Sequence, residues 1–291
     1  MKEIVVISGK GGTGKTSITA AFAYLAGPDL VLADCDVDAA DMHLLMQPDF
    51  AKQEDFFSGE TARIIQDDCI ACGKCFDVCR YGAISIINGK YIVDPVSCEG
   101  CGYCARVCPT ETIVNDIPKV GEWYTSTIKT QATMVHAKLN IGADNSGKLV
   151  AKVKNEAKQI AESQHKELIL VDGSPGIGCP VVSSLSGASF VVLVTEPSVS
   201  GLHDLERVCQ LIKNFNLPAG CIINKSDINP QISNEIMTFL NENDIALIAE
   251  FPYNEKFTAA ITLGKTIMEI GDKQLSELIA KAWNSITNKY I

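Results

Sequence analysis

The apolar positions of this chain recur in two rhythms, and the change from one to the other divides it. The opening reads strand, loop, helix. Ile4–Ser8 is a continuous apolar run, Gly9–Gly14 a glycine loop, and Lys15–Ala26 a helix-forming stretch. After the breaker Gly27-Pro28 a second strand, Leu30–Ala33, runs into the acidic segment Asp34-Cys35-Asp36-Val37-Asp38. Strand–helix–strand alternation at this spacing predicts βαβ units and a parallel sheet. Around Thr61 the rhythm is lost, and it returns only after Lys119. Two strands are then predicted, Glu122–Ile128 and Thr133–Asn140, followed by helix Gly147–Ser163 and strands Leu168–Val171 and Phe190–Thr195. Helix Gly201–Asn214, strand Gly220–Ile223, helix Gln231–Asn241 and strand Ile245–Ala249 continue the pattern. A last helix, Lys273–Asn288, carries Leu275, Leu278, Ile279, Ala282 and Ile286 at helical spacing. It has few basic residues, so packing on the sheet suits it better than lying on a membrane. The predicted fold class is α/β, a mostly parallel sheet with helices on both faces. Residues 1–60 and 120–291 form it, and residues 61–119 are an insertion.

Composition narrows the functions this fold could serve. The net charge of −10 argues against a nucleic-acid surface, which needs clustered Lys and Arg. No segment reaches the roughly 18 consecutive apolar residues of a membrane span. The N-terminus MKEIVVISGK lacks the apolar core of a signal peptide, so a cytoplasmic location is expected. Eight of the twelve cysteines fall between Cys69 and Cys108. In a reducing compartment such clustering points to metal ligands or redox groups rather than disulfides.

Gly9-Lys10-Gly11-Gly12-Thr13-Gly14-Lys15-Thr16 fits G-x-x-x-x-G-K-[ST] in full, between a buried strand and a helix. Backbone N–H groups of the glycine loop and the positive end of the helix dipole suit phosphates. Lys15 is expected to reach the β- and γ-phosphates, and the Thr16 hydroxyl to ligate Mg2+. The string KGGTGKT, with its second lysine at Lys10, resembles the deviant Walker A loop of the MinD/ParA/nitrogenase-iron-protein group of ATPases. That resemblance covers residues 1–50 and 120–291. It implies that Lys10 reaches a partner's nucleotide across a dimer interface, the dimer being a homodimer or a heterodimer with a paralogue. It also implies that Asp36 orients the attacking water, that Asp172 contacts Mg2+ through water, and that Gly176 senses the γ-phosphate. The base is open between two readings. Asn224-Lys225-Ser226-Asp227 literally matches the guanine selector N-K-x-D, whereas in the resembled group an Asn here binds adenine, helped by a stretch like Phe251-Pro252-Tyr253. Lys10 favours ATP.

Cys69, Cys72, Cys75 and Cys79 are spaced 2-2-3, and Cys98, Cys101, Cys104 and Cys108 repeat the spacing before Pro109. The doubled run resembles bacterial two-cluster ferredoxins over residues 64–119, with Arg80 departing from the proline that usually follows the first run. Structural zinc, the alternative, prefers two separated cysteine pairs. The resemblance implies two [4Fe–4S] clusters, the fourth cysteine of each run serving the other cluster. One would be held by Cys69, Cys72, Cys75 and Cys108, the other by Cys98, Cys101, Cys104 and Cys79. Asp67, Asp68, Asp77 and Glu99 suit surface solubilisers better than potential-tuning groups. Cys35, Cys209 and Cys221 are expected in the core. Cys179 stands seven positions after Asp172, where the nitrogenase iron protein has a cluster ligand. The second cysteine of that arrangement is missing from Ile141–Leu149, so a shared four-cysteine cluster is not expected. Cys179 is expected either to pack at a helix start before Pro180 or to lie near a dimer axis and contact a partner's metal centre or a transferred cluster.

Three functions are compatible with these features. The first is an ATP-gated electron-transfer protein with a redox partner, the second an assembly ATPase delivering a cluster or metal cofactor to an acceptor protein. The third, an intracellular positioning ATPase, gives the clusters no role.

Overall fold

A computed structural model describes residues 1–290. It resolves the chain into two compact units, the first formed by Met1–Glu54, Trp123–Lys138 and the chain from Ser146 onward. The second is formed by Asp55–Glu122 and Leu139–Asn145. The expected edges at residues 60 and 120 thus shift by a few positions, and the loop after Leu139 joins the second unit.

In chain order the elements of the first part are β1 (Lys2–Ser8), α1 (Lys15–Ala26), β2 (Leu30–Asp34), α2 (Met42–Met46) and β3 (Lys52–Phe57). Next come β4 (Thr61–Ile64), α3 (Lys74–Val78), β5 (Ile84–Ile87), β6 (Lys90–Val93), α4 (Tyr103–Val107) and β7 (Ile113–Asp116). The α/β pattern returns with β8 (Lys119–Thr127), β9 (Thr133–Leu139), α5 (Ser146–Ser163), β10 (Leu168–Pro175) and α6 (Cys179–Leu185). It ends with β11 (Phe190–Thr195), α7 (Val199–Asn214), β12 (Ala219–Asn224), α8 (Pro230–Glu242), β13 (Ala246–Phe251), α9 (Lys256–Thr262) and α10 (Lys273–Tyr290).

The large sheet has the order β13-β12-β11-β1-β10-β2-β9-β8-β3, and the pairs from β13 through β9 are parallel. A parallel strand covered on both faces should read as an unbroken apolar run. β1, β2, β10 and β11 do, with Ile4–Ile7, Leu30–Ala33 and Phe190–Val194 almost wholly buried. α10 lays Leu275, Ile279, Ala282, Trp283 and Ile286 into the core, where Trp283 stacks on Phe22 with ring centroids 5.1 Å apart. The expectation that this helix packs within the fold is met. No helix among the described residues is long and apolar enough to cross a membrane.

The second unit contains two small antiparallel sheets, β4 with β7 and β5 with β6. Its two five-residue helices each follow a left-handed glycine, Gly73 (φ 82°) before α3 and Gly102 (φ 69°) before α4. The structural repeat mirrors the repeated cysteine run.

Candidate functional site

The residues singled out for nucleotide chemistry gather at the carboxyl ends of the parallel strands, the edge where open α/β sheets bind ligands. β1 delivers the glycine loop to the start of α1. Gly12 (φ 80°) and Gly14 (φ 92°) adopt backbone angles that side chains resist, and Gly14 is also close-packed: a Cβ there would lie 2.4 Å from Asn224 Nδ2. A Cβ on Gly9 would lie 2.6 Å from Asp204 Cβ, whereas Gly11 has open space around it.

Lys15 Nζ lies 3.0 Å from Asp172 Oδ1 and 3.3 Å from Asp36 Oδ2. Asp172 is fully buried and accepts from the hydroxyls of Thr16 (2.8 Å) and Thr19 (3.0 Å). Burial alone would lower the Lys15 pKa, but the charges of Asp172 and Asp36 outweigh it and hold the pKa above the usual lysine value. Burial raises the Asp36 carboxyl against the pull of Lys15. Lys15, Thr16, Asp36 and Asp172 therefore meet in one place.

A third carboxylate escaped the sequence reading. Asp34 ends β2, is the ladder neighbour of Asp172, and accepts the Asp36 N–H at 3.2 Å. Its Oδ2 is buried without a hydrogen-bond partner, as is the Thr13 hydroxyl of the loop. Burial and the charge of Asp172 push the Asp34 carboxyl well above the carboxylate range. An orphaned buried hydroxyl in a glycine cradle fits a polyphosphate, and Thr16 with Asp172 supplies the oxygen donors that Mg2+ takes.

Glu196 was missed as well. It follows β11 and binds two lysines, Lys10 Nζ at 2.7 Å and Lys225 Nζ at 2.6 Å. Lys10 also donates to the hydroxyls of Ser198 and Ser200, each at 3.0 Å, and Lys225 to the carbonyl of Gly12 at 3.0 Å. The one available signal was an acid directly after an apolar strand run, as at Asp172. The Gly176 N–H donates to the Ser8 carbonyl at 2.8 Å, which ties the segment after β10 to β1.

The base-side residues carry their own bonds. Asn224 Nδ2 donates to the Thr13 carbonyl at 2.8 Å, and its Oδ1 accepts the Lys225 N–H at 3.0 Å. Asp227 Oδ1, the carboxylate that a guanine selector needs, accepts the Tyr253 N–H at 2.6 Å. Pro252 and Tyr253 are exposed after β13.

In the second unit the eight cysteines fall around two recesses. One is lined by Cys69, Cys72, Cys75 and Cys108, with Ile64, Thr112 and Ile113 among its walls. The other is lined by Cys79, Cys98, Cys101 and Cys104, with Ala62, Ala83 and Val93. Each recess thus takes three sulfurs from one run and the last from the other. All eight are free thiols, and four soft sulfur donors around an apolar recess fit an iron–sulfur cubane. Asp67, Asp68, Asp77 and Glu99 are exposed. Cys35, Cys209 and Cys221 are buried core residues as expected. Cys179 stands at the first position of α6, a helix start as expected, and is exposed there, with its Cβ 3.1 Å from where a Cβ on Gly147 would lie.

The chain is 34% identical to the uncharacterised protein MJ0578 of Methanocaldococcus jannaschii over 232 residues, 78% of this chain and 79% of that one. A 59-residue stretch, 18% of the chain, is 39% identical to Ferredoxin-1 of Chlorobaculum tepidum and covers 95% of it. The fold resembles the septum site-determining protein MinD of Pyrococcus horikoshii, solved with Mg-ADP. The TM-score is 0.57 at 17% identity, over 98% of this chain and 95% of that one. The model of the CobQ/CobB/MinD/ParA nucleotide-binding domain matches residues 4–267, and the chain belongs to that family.

Proposed function

We propose that this protein is a Mg2+-dependent ATPase whose nucleotide state gates electron transfer through two [4Fe–4S] clusters in an inserted ferredoxin-like module. The observation that carries the reading is the sorting of eight cysteines into two four-sulfur recesses on a chain that also carries a complete P-loop. Similarity to a small ferredoxin over nearly that protein's whole length supports it. Four thiolates per cluster hold it firmly, which suits electron transfer better than delivery of a cluster to another protein.

In the nucleotide site, Lys15 would exchange its carboxylate partners for the β- and γ-phosphates. Thr16 and Asp172 would hold Mg2+, which supplies neutralising charge at those phosphates. Asp36, freed from Lys15, would position water against the γ-phosphorus. Lys10 would leave Glu196 and cross to a second subunit's nucleotide as the dimer closes. ATP is the expected base partner, because Asp227 is already committed to Tyr253.

Anaerobically purified protein should contain about eight irons per chain, two cubanes of four. The decisive measurement is the rate at which the reduced module passes electrons to an artificial acceptor, with and without a non-hydrolysable ATP analogue. Equal rates in the two states would remove the gating. Iron content far below the expected value would remove the clusters.

A further inference from the structure

The two cysteine runs repeat each other, and the places where the repeat fails differ in hydrogen bonding. Two positions after the last cysteine of the second run stands Thr110, and four positions after it Thr112. Their hydroxyls lie 3.6 Å and 3.4 Å from Cys108 Sγ and 3.3 Å from each other. At the same two offsets from Cys79 the first run has Tyr81 and Ala83. Ala83 has no side-chain hydroxyl to donate, and Tyr81 is half-exposed.

A ligating cysteine is a thiolate and can only accept, so these hydroxyls must donate to it. Thr112 is 3% exposed, with the sulfur and Thr110 as its hydroxyl's partners. A donor aimed at a ligand sulfur stabilises the added negative charge of a reduced cluster and raises its potential. One backbone donor opposes this asymmetry, the Ala62 N–H at 3.5 Å from Cys98 Sγ. It is a single long contact against two hydroxyls.

Resting on the reading of the module as a two-cluster protein, we propose that Thr110 and Thr112 split the two reduction potentials. A single electron entering the module then settles on the cluster held by Cys69, Cys72, Cys75 and Cys108. The exchange balances within the module: the cluster of Cys79, Cys98, Cys101 and Cys104 gives up one electron and the other gains it. The threonines are tuning residues that act through the Cys108 sulfur.

The experiment is a dithionite redox titration of the whole holoprotein followed by electron paramagnetic resonance, on wild type and on Thr110→Val with Thr112→Val. Iron content and the reduced signals of wild type are measured first. Absence of two cubanes there overturns the module reading and this proposal with it. With two cubanes present, the wild type should titrate in two waves. The double variant should lose at least a factor of ten in the reduced-to-oxidised ratio of the higher wave, or 59 mV for a one-electron couple. The lower wave should stay in place. Thr112→Ser keeps the hydroxyl and should titrate near wild type, which a purely steric role would not produce. Should the double variant lose iron, Thr112→Ala alone serves, and the higher wave should again fall. Unmoved waves, or two waves that move together, would overturn the tuning role while leaving the clusters intact.

Discussion

The two units are held together by different means. In the first, four central strands carry buried apolar runs, and helices on both sides complete a core that includes Phe22, Phe190 and Trp283. Burial of that kind is worth about 25 cal/mol per Å2 of apolar surface and needs no ligand. The second unit has a small core cluster of Ala62, Ile64, Cys75, Ile84 and Ile113, with more cysteines packed around it. Its sheets are two-stranded, a size that is marginal in water, and domains so small usually need a metal or a disulfide. The difference teaches that the fold of the first unit builds its site, whereas in the second the proposed clusters would have to help build the fold.

The largest expected effect tests that contrast directly. Stripping iron should unfold the second unit and spare the first. Hydrogen exchange should show amides of β4, β5, β6 and β7 losing protection on iron removal, while β1, β10 and β11 keep theirs. If β4–β7 stayed protected without iron, the small apolar core would be sufficient and the contrast would collapse.

Next in size is Lys15→Ala. Removing the ammonium leaves Asp172 and Asp36 without their shared cation beside the partnerless oxygen of Asp34. Taking one partner from a buried ion pair costs roughly 3–5 kcal/mol, so urea unfolding of the first unit should shift by about that amount without nucleotide. Nucleotide affinity, read by calorimetry, should fall roughly 10- to 100-fold through the lost charged contact. By contrast, Lys10→Ala should bind nucleotide nearly as well, yet hydrolyse and dimerise poorly. Unimpaired hydrolysis by that variant would mean that its bonds to Glu196, Ser198 and Ser200 are structural only.

The same contrast explains what could be read from the chain alone. The P-loop and both cysteine runs are contiguous, so their chemistry was visible at once, and the apolar strands were visible because burial on both faces leaves no alternation. β3 was not, since Lys52–Phe57 lies at the sheet's edge with mostly exposed side chains and no apolar pattern. α2 is five residues long, too short for a helical period to show. Asp34, Glu196 and Lys225 became site residues only through pairing of strands distant in sequence. Thr112 looked like any loop threonine until the fold placed it against Cys108. Cys179 starts a helix, as its place before Pro180 suggested, but its exposure was not legible because only the fold shows that α6 begins at the surface.

A third test probes the first unit's ability to hold a polar group without ligand. His136 on β9 is in register with Asp34, stacks on Tyr124 at 5.0 Å, and has its Nε2 2.9 Å from the Ser126 hydroxyl. Burial, assisted by His43, holds its pKa down to about 4. The folded state therefore keeps the ring neutral between pH 6.5 and 4, whereas the unfolded chain takes up a proton there. Stability from this residue is complete above about pH 6.5 and is lost as the pH falls, by about 3 kcal/mol at most. Urea midpoints at pH 7 and pH 4.5 should converge for wild type and His136→Phe as the pH drops. A constant difference between the two would show that the ring is already hydrated.

The smallest expected effect concerns the base. Asn224-Lys225-Ser226-Asp227 spells a guanine selector, yet a selector needs its aspartate oxygens turned to the base. Here Asp227 Oδ1 takes the Tyr253 N–H at 2.6 Å, and both Asn224 amide groups are bonded to the chain itself. The four residues act as a brace joining β12, the P-loop and the turn after β13, which is how a fold-built site stays in place without ligand. Asp227→Ala should then cost about 1 kcal/mol of stability, the value of one hydrogen bond, and weaken ATP binding only a few-fold by loosening Tyr253. GTP should compete poorly against both proteins. A true selector would behave otherwise: wild type would prefer GTP, and the alanine variant would lose that preference by orders of magnitude, because a buried base donor left unpaired is expensive. Competition binding with the two nucleotides separates the outcomes. A strong guanine preference would mean that the Asp227–Tyr253 bond opens on binding, and that the nucleotide site is completed by what it binds.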